Sequence, residues 1–165
     1  MAGPRFSIQL AKEDFKFSAA HFTVFGGDRA ELLHGHNYRV SVELGGASLD
    51  ADGFLVDLDQ VKTLVRAACA DLDERTLVPG RSPHVAIDEA EGRVTVGFAE
   101  RRYELPSADV LVLPIRNVTI EALAAHLWRE LRAGLQAERV DRLAVIVEET
   151  AGQRCAYEAG LDAPD

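Results

Sequence analysis

Cysteine, positive charge and long apolar runs are all scarce in this chain, and each shortage removes a class of protein. Two cysteines, Cys69 and Cys155, cannot build a disulfide framework, so both read as reduced thiols and stability must come from a packed core. No stretch approaches the roughly 18 apolar residues that a membrane span needs, and the opening MAGPRFSIQL has no apolar centre of a signal peptide. A cytoplasmic protein without a membrane partner is expected. The net charge of −9 makes the average surface field repel a nucleic-acid backbone. No nucleic-acid partner is expected, and an anionic substrate would need a local cluster of cations.

What is present suffices for one domain: 165 residues, 47% of them apolar, can bury a real core. Residues 1–160 read as that domain, with an insert at 79–116, and LDAPD at 161–165 reads as a flexible tail. Phe6, Ile8 and Leu10 alternate on one parity and Phe15 and Phe17 on the other, so a bulge or bend within 11–14 is expected in an otherwise strand-like segment. From Tyr38 the alternation is regular, with Val40, Val42 and Leu44 on the same face. Residues 57–72 carry apolar side chains at helical spacing, and Asp57 with Gln60 resembles a capping box. A second helix is expected over about 119–135, followed by two strands, RLAVIVEE and RCAYEA. Within the insert, VTVGF and RRYEL flank a short AE turn and predict a hairpin. The expected class is α+β, an antiparallel sheet carrying two helices on one face.

The stretch HGHNY bears the chemistry. Residues two apart on a strand point the same way, so His34 and His36 present their rings together, on the parity of Tyr38 and Val40. If the first two strands pair across the 22–33 loop, His21 reaches the same end of the same face. Three neutral imidazoles suit zinc and leave a fourth position for water or substrate. On spacing alone, a metal site and a set of satisfied core histidines both stay open.

FSAAH at 17–21, HGHNY at 34–38, LVDLDQVK at 55–62, LD at 72–73, NVTIEALA at 117–124 and EET at 148–150 come in a specific order. That series resembles the 6-pyruvoyltetrahydropterin synthase and 6-carboxytetrahydropterin synthase family over nearly the whole chain outside the insert. The resemblance implies the tunnelling fold, a four-stranded antiparallel sheet with two helices, whose trimers close into a barrel and stack as a homohexamer. It implies zinc on His21, His34 and His36, acting as a Lewis acid on the side-chain hydroxyls of a reduced pterin bound at a subunit boundary. Glu149 resembles the pterin anchor, a carboxylate that accepts two parallel hydrogen bonds from the ring's N–H edge. Thr119 and Glu121 resemble its helpers, although Thr at a helix start and Glu in the first turn also suit capping and the helix dipole. His126 falls off the helix stripe, on a surface or subunit contact.

Two departures refine the expected activity. The family's catalytic cysteine is replaced by Ala30, and Glu31 stands three residues before His34. This resembles a subgroup in which glutamate replaces that cysteine and the product is 6-hydroxymethyl-7,8-dihydropterin, a folate precursor. There Glu31 would be the base of a retro-aldol-type cleavage of 7,8-dihydroneopterin or its triphosphate. Where the family has an Asp-His pair this chain has Asp73 and Glu74, with His84 as a substitute proton carrier. Arg29, Arg75 and Arg81 are the candidate cations for a triphosphate. The expected function is therefore a zinc-dependent pterin lyase. The alternatives are a 6-carboxytetrahydropterin synthase of the queuosine route, a 6-pyruvoyl synthase, or a zinc- and pterin-binding homologue without turnover.

Overall fold

A computed structural model describes residues 3–162, and its backbone is organised around one long strand. That strand, β3 (His34–Gly46), keeps Tyr38, Val40, Val42 and Leu44 fully inside while Arg39 stays exposed. The two shorter strands before it, β1 (Phe6–Leu10) and β2 (Lys16–His21), run along the same edge of β3, one at each end. Leu10 faces Val42 and Phe17 faces Tyr38, so the first chain uses an odd excess of residues between those points. The expected bend at 11–14 absorbs the excess, closed by Phe15 N–H donating to the Lys12 carbonyl at 3.1 Å. It returns both strands' apolar residues to one face.

Helix α1 (Leu58–Leu72) buries Val61, Val65, Cys69 and Leu72. Its cap is Asp57, whose carboxylate accepts from the Asp59 N–H. The expected capping box is not closed, because Gln60 is used elsewhere. Its side chain accepts from Gln136 N–H at 2.7 Å and donates to the Gln136 carbonyl at 3.4 Å, tying α1 to the segment after the second helix. Helix α2 (Ile120–Gly134) starts at Thr119, whose hydroxyl accepts from Ala122 N–H, and buries Leu123, Ala124, Leu127, Trp128 and Leu131. The Trp128 indole N–H reaches the Leu143 carbonyl at 2.9 Å, so the largest core side chain is buried with its polar atom satisfied. Neither helix is long and apolar enough to cross a membrane.

The sheet corrects the expected simple antiparallel arrangement. Besides β2 and β3 its antiparallel part holds β9 (Arg142–Thr150) and β10 (Gln153–Gly160). Beyond β2 come β4 (Arg75–Pro79) and β8 (Val110–Leu113), both parallel, giving the order β10-β9-β3-β2-β4-β8 with β1 alongside β3. A parallel neighbour needs a crossover, and α1 supplies it between the hairpin and β4. The insert is also more than a hairpin: β5 (Ala86–Ala90), β6 (Arg93–Phe98) and β7 (Arg101–Pro106) form a three-stranded antiparallel meander. Strand β5, AIDEA, is mostly exposed, so no apolar alternation announced it. Val94, Val96 and Phe98 of β6 build a second apolar cluster with Phe22 and Val24 of the loop that follows β2. Leu161, at the head of the expected tail, donates to the Asp141 carbonyl at 3.0 Å, and residues 163–165 lie outside the described residues.

On the other face of the sheet, Glu43 joins three strands. Its carboxylate accepts from Ser7 Oγ at 2.7 Å, Gln9 Nε2 at 3.2 Å and Arg142 Nη2 at 2.6 Å. Those bonds to Ser7, Arg142 and Gln9 pull its pKa down to about 2. A depressed carboxyl stabilises the fold above its unfolded value near 4.5 and loses that contribution as pH falls through about 2. Glu43→Gln is expected to cost about 1–2 kcal/mol at pH 7, after allowance for partial exposure. Urea unfolding should show the cost at pH 7 and nearly none at pH 2.

Candidate metal centre

The register of β2 and β3 sets His21 directly opposite His34, and His36 follows on the same face. The ring centroids lie 4.8 Å apart for His21 and His34, 5.4 Å for His21 and His36, and 4.7 Å for His34 and His36. One nitrogen from each ring falls within 4.8 Å of the others.

Two of the rings are oriented by main-chain oxygens. His21 Nδ1 lies 3.1 Å from the Val118 carbonyl, and His34 Nδ1 lies 2.8 Å from the Leu32 carbonyl. A carbonyl only accepts, so both Nδ1 atoms carry the proton and both Nε2 atoms offer a lone pair. His21 is 1% exposed, and its Nε2 is fully buried without a hydrogen-bond partner. Burial lowers the His21 pKa against the smaller raising effects of Val118 and Glu149, so the ring is neutral at pH 7 and its contact with Glu149 is not an ion pair. A buried lone pair aimed at two more imidazoles is costly unless something accepts it. Three converging imidazoles, two of them with tautomers fixed by main-chain oxygens, fit a divalent cation.

The Val118 carbonyl is itself held in place. Asn117 mimics a strand: its Oδ1 accepts from Val24 N–H at 3.0 Å and its Nδ2 donates to the Val24 carbonyl at 2.9 Å. This locks the approach to α2 against the loop leaving His21. Sequence reading passed over Asn117, and its signal was an Asn two places before a helix cap.

Glu149 ends the inward parity of β9 and enters the cluster. Its Oε1 lies 3.3 Å from His21 Nε2 and 3.7 Å from His36 Nε2, and accepts from the Tyr38 hydroxyl at 3.1 Å. The other oxygen accepts from Gln153 Nε2 at 2.9 Å. Burial first, then the Glu149 charge, pushes the Tyr38 phenol far above its ordinary value and keeps it a donor. Tyr38 read from sequence as core alone.

Glu31 sits in the 22–33 loop that joins the two histidine strands. Its backbone N–H donates to the Thr23 carbonyl at 2.9 Å and its carboxylate accepts from Thr23 N–H at 3.0 Å. Burial alone would raise its pKa, but the Thr23 hydrogen bonds and the neighbouring His34 and His21 rings outweigh it and hold the group below its ordinary value. It is a carboxylate at neutral pH, within electrostatic reach of His34 and His21.

The other expected site residues are placed apart from this cluster in the single chain. Thr119 caps α2, and Glu121 is exposed in its first turn. Asp73 accepts from Ser18 N–H at 2.6 Å, and Glu74, at φ 58°, donates its own N–H to the Ser18 carbonyl. Neither forms a hydrogen bond or ion pair with an imidazole among the described residues. His84 packs toward Gly27, and His126 is half-buried in a cleft with Arg81 and Arg116. The three candidate cations diverge: Arg29 lies over the Phe25 ring, Arg75 binds the Ala108 carbonyl, and Arg81 lines that cleft. Burial pushes the Cys69 thiol up to about 12, as suits an inert core residue.

Comparison with known proteins agrees over this same span. Residues 9–160 match the profile of the 6-pyruvoyl tetrahydropterin synthase family. A Methanocaldococcus jannaschii protein, provisionally named 6-carboxy-5,6,7,8-tetrahydropterin synthase, is 29% identical over 89% of this chain and 91% of its own. The Bacillus subtilis 6-carboxy-5,6,7,8-tetrahydropterin synthase is 31% identical over 67% of this chain and 64% of its own. The crystal structure of 6-pyruvoyl tetrahydropterin synthase from Plasmodium vivax superposes with a TM-score of 0.90 at 26% identity, covering 96% of this chain and 99% of that one. A variant of that protein, in which a glutamate called a catalytic residue is replaced by alanine, superposes equally well, with a TM-score of 0.90.

Proposed function

The chain belongs to the 6-pyruvoyl tetrahydropterin synthase family, and from that premise we propose that it is a zinc-dependent lyase that converts 7,8-dihydroneopterin or its triphosphate to 6-hydroxymethyl-7,8-dihydropterin. One observation carries this reading: Glu31, with Ala30 where the family's cysteine stands, is held as a carboxylate by Thr23 N–H within electrostatic reach of His34 and His21. The Plasmodium vivax protein, with a glutamate described as catalytic, supports it.

His21, His34 and His36 would hold the ion, which when bound supplies Lewis-acid polarisation of the substrate's side-chain hydroxyls. Glu31 takes the proton of the hydroxyl on the second side-chain carbon. The bond between the first and second carbons then breaks, the second and third carbons leave as glycolaldehyde or its triphosphate ester, the bond's electrons pass into the pterin ring system, and the first carbon is reprotonated. Asp73 and Glu74 stand where the family keeps its second proton carrier, and His84 borders the Glu31 loop. Glu149 would anchor the pterin through its N–H edge, with Thr119 and Glu121 as neighbours. The assembly we infer is a barrel-closing trimer, stacked as a hexamer, because among the described residues β8 and β10 leave both ends of the sheet unpaired. A cytoplasmic setting fits this chemistry.

Losing two charge-assisted hydrogen bonds should weaken pterin binding strongly. Glu149→Ala is expected to raise KM by about 30- to 100-fold with a smaller change in kcat, as steady-state kinetics would show.

The names of the relatives favour a second reading, a 6-carboxy or 6-pyruvoyl synthase working without the cysteine. Incubation with 7,8-dihydroneopterin triphosphate, followed by mass analysis of the new pterin, separates the two. A 6-hydroxymethyl product supports the lyase, and a 6-carboxy or 6-pyruvoyl product overturns it. Bound zinc and pterin with no product would make the chain a binding homologue.

A further inference from the structure

We propose that the three-stranded insert fixes the position of the Glu31 carboxylate, and that Arg101 is the positioning residue through which it does so; this rests on Glu31 being the base. The 22–33 loop is anchored by strands only at its ends, His21 and His34. Between them the Val24 to Ala30 bridge, the Phe25 N–H donating to the Arg29 carbonyl at 2.8 Å, and the Thr23 contacts hold it from within. Asn117 supports the loop from outside at Val24, and the insert supports it at Ala30 and Glu31. Arg101, the first residue of β7, donates from Nη1 to the Glu31 carbonyl at 2.5 Å and from Nη2 to the Ala30 carbonyl at 2.9 Å. A planar guanidinium presents two parallel donors, which matches two successive main-chain oxygens; an ammonium does not.

The guanidinium is itself braced. It lies 5.8 Å from the centre of the Phe98 ring, and Phe98 is buried in the apolar cluster that also contains Phe22. Phe22 follows the metal-type ligand His21 directly, and its ring meets Phe98 at 6.3 Å and Tyr103 at 5.8 Å. The meander therefore holds the loop at its start through packing and at Ala30 and Glu31 through hydrogen bonds. Among the described residues Arg101 forms no ion pair, so its charged donors serve these carbonyls. A base must come within about 2.6–3.2 Å of the proton it takes, and a displacement of about 1 Å can cost on the order of 100-fold in rate.

The test compares Arg101→Ala and Arg101→Lys with the parent and repeats the alanine change in the Glu31→Gln background. Arg101→Ala is expected to lower kcat by about 10- to 100-fold while leaving KM and zinc content unchanged. Amide exchange in residues 24–33 should accelerate, with protection of β3 and α2 retained. Arg101→Lys should recover part of the rate, because it reaches one carbonyl. In the Glu31→Gln background the alanine change should cost nothing further. An unchanged kcat, an equal loss in the Glu31→Gln background, or a joint loss of zinc and pterin affinity would overturn the proposal. Normal turnover of Glu31→Gln alone would remove the base reading and this proposal with it. Unaltered loop exchange with an inactive Glu31→Gln enzyme would overturn the positioning role and leave the base reading standing. Should the alanine variant unfold, Arg101→Gln serves for the same comparison.

Discussion

His34→Ala is expected to lose bound zinc and turnover together. The ring it removes is the central donor, facing His21 across the strand pair and His36 along its own strand. Two donors remain where three fixed a position, and they no longer define one. Metal affinity should fall by more than the roughly 100-fold that loss of an outer partner of a ligand costs. Metal analysis after dialysis reads the loss directly. A second readout avoids activity altogether: added zinc should raise the Tm of the parent protein and leave that of His34→Ala unmoved, because an ion stabilises only the fold that binds it. Retained stoichiometric zinc in the variant would discard the three-imidazole site.

Glu31→Gln should separate chemistry from metal binding. The amide oxygen still accepts from Thr23 N–H, so the loop keeps its shape, while the group that takes the proton is gone. The expected result is a fall in kcat of about 100- to 10,000-fold with zinc content unchanged and KM little altered. Unchanged turnover would exclude Glu31 as the base. The parent's pH profile bears on the same point. Thr23 and the imidazoles keep the Glu31 pKa below its ordinary value, so the group stays ionised in mildly acidic solution. Activity lost there should follow zinc release as the imidazoles take protons, and metal content should fall in step with rate.

Both helices and the long strand were legible because their apolar periods run long enough to be unmistakable. The parallel strands were not. VLVL and RTLVP are short apolar runs beside Pro and Gly, and their pairing depends on crossovers, α1 before β4 and the inserted meander before β8, rather than on any local pattern. At the site, parity brought His34 and His36 onto one face, the assumed pairing of the first two strands added His21, and the family resemblance supplied Glu149. What sequence could not show were contacts made through the main chain. The His21 ring is set by a carbonyl 97 residues away, and Arg101 holds the oxygens of Ala30 and Glu31. A backbone oxygen has no letter in the sequence. Asp73 and Glu74 rest on a motif position alone: in the single chain the two residues fasten the end of α1 to β2.

The tautomers of His21 and His34 are dictated by the oxygens of Val118 and Leu32, and those oxygens survive every side-chain replacement. Leu32 is 74% exposed, so its identity is free to drift while its carbonyl continues to aim a ligand. The centre is thus buffered against mutation at the very residues that orient it. Its fragility is displaced to Asn117, the side chain that substitutes for missing main-chain pairing beside Val118.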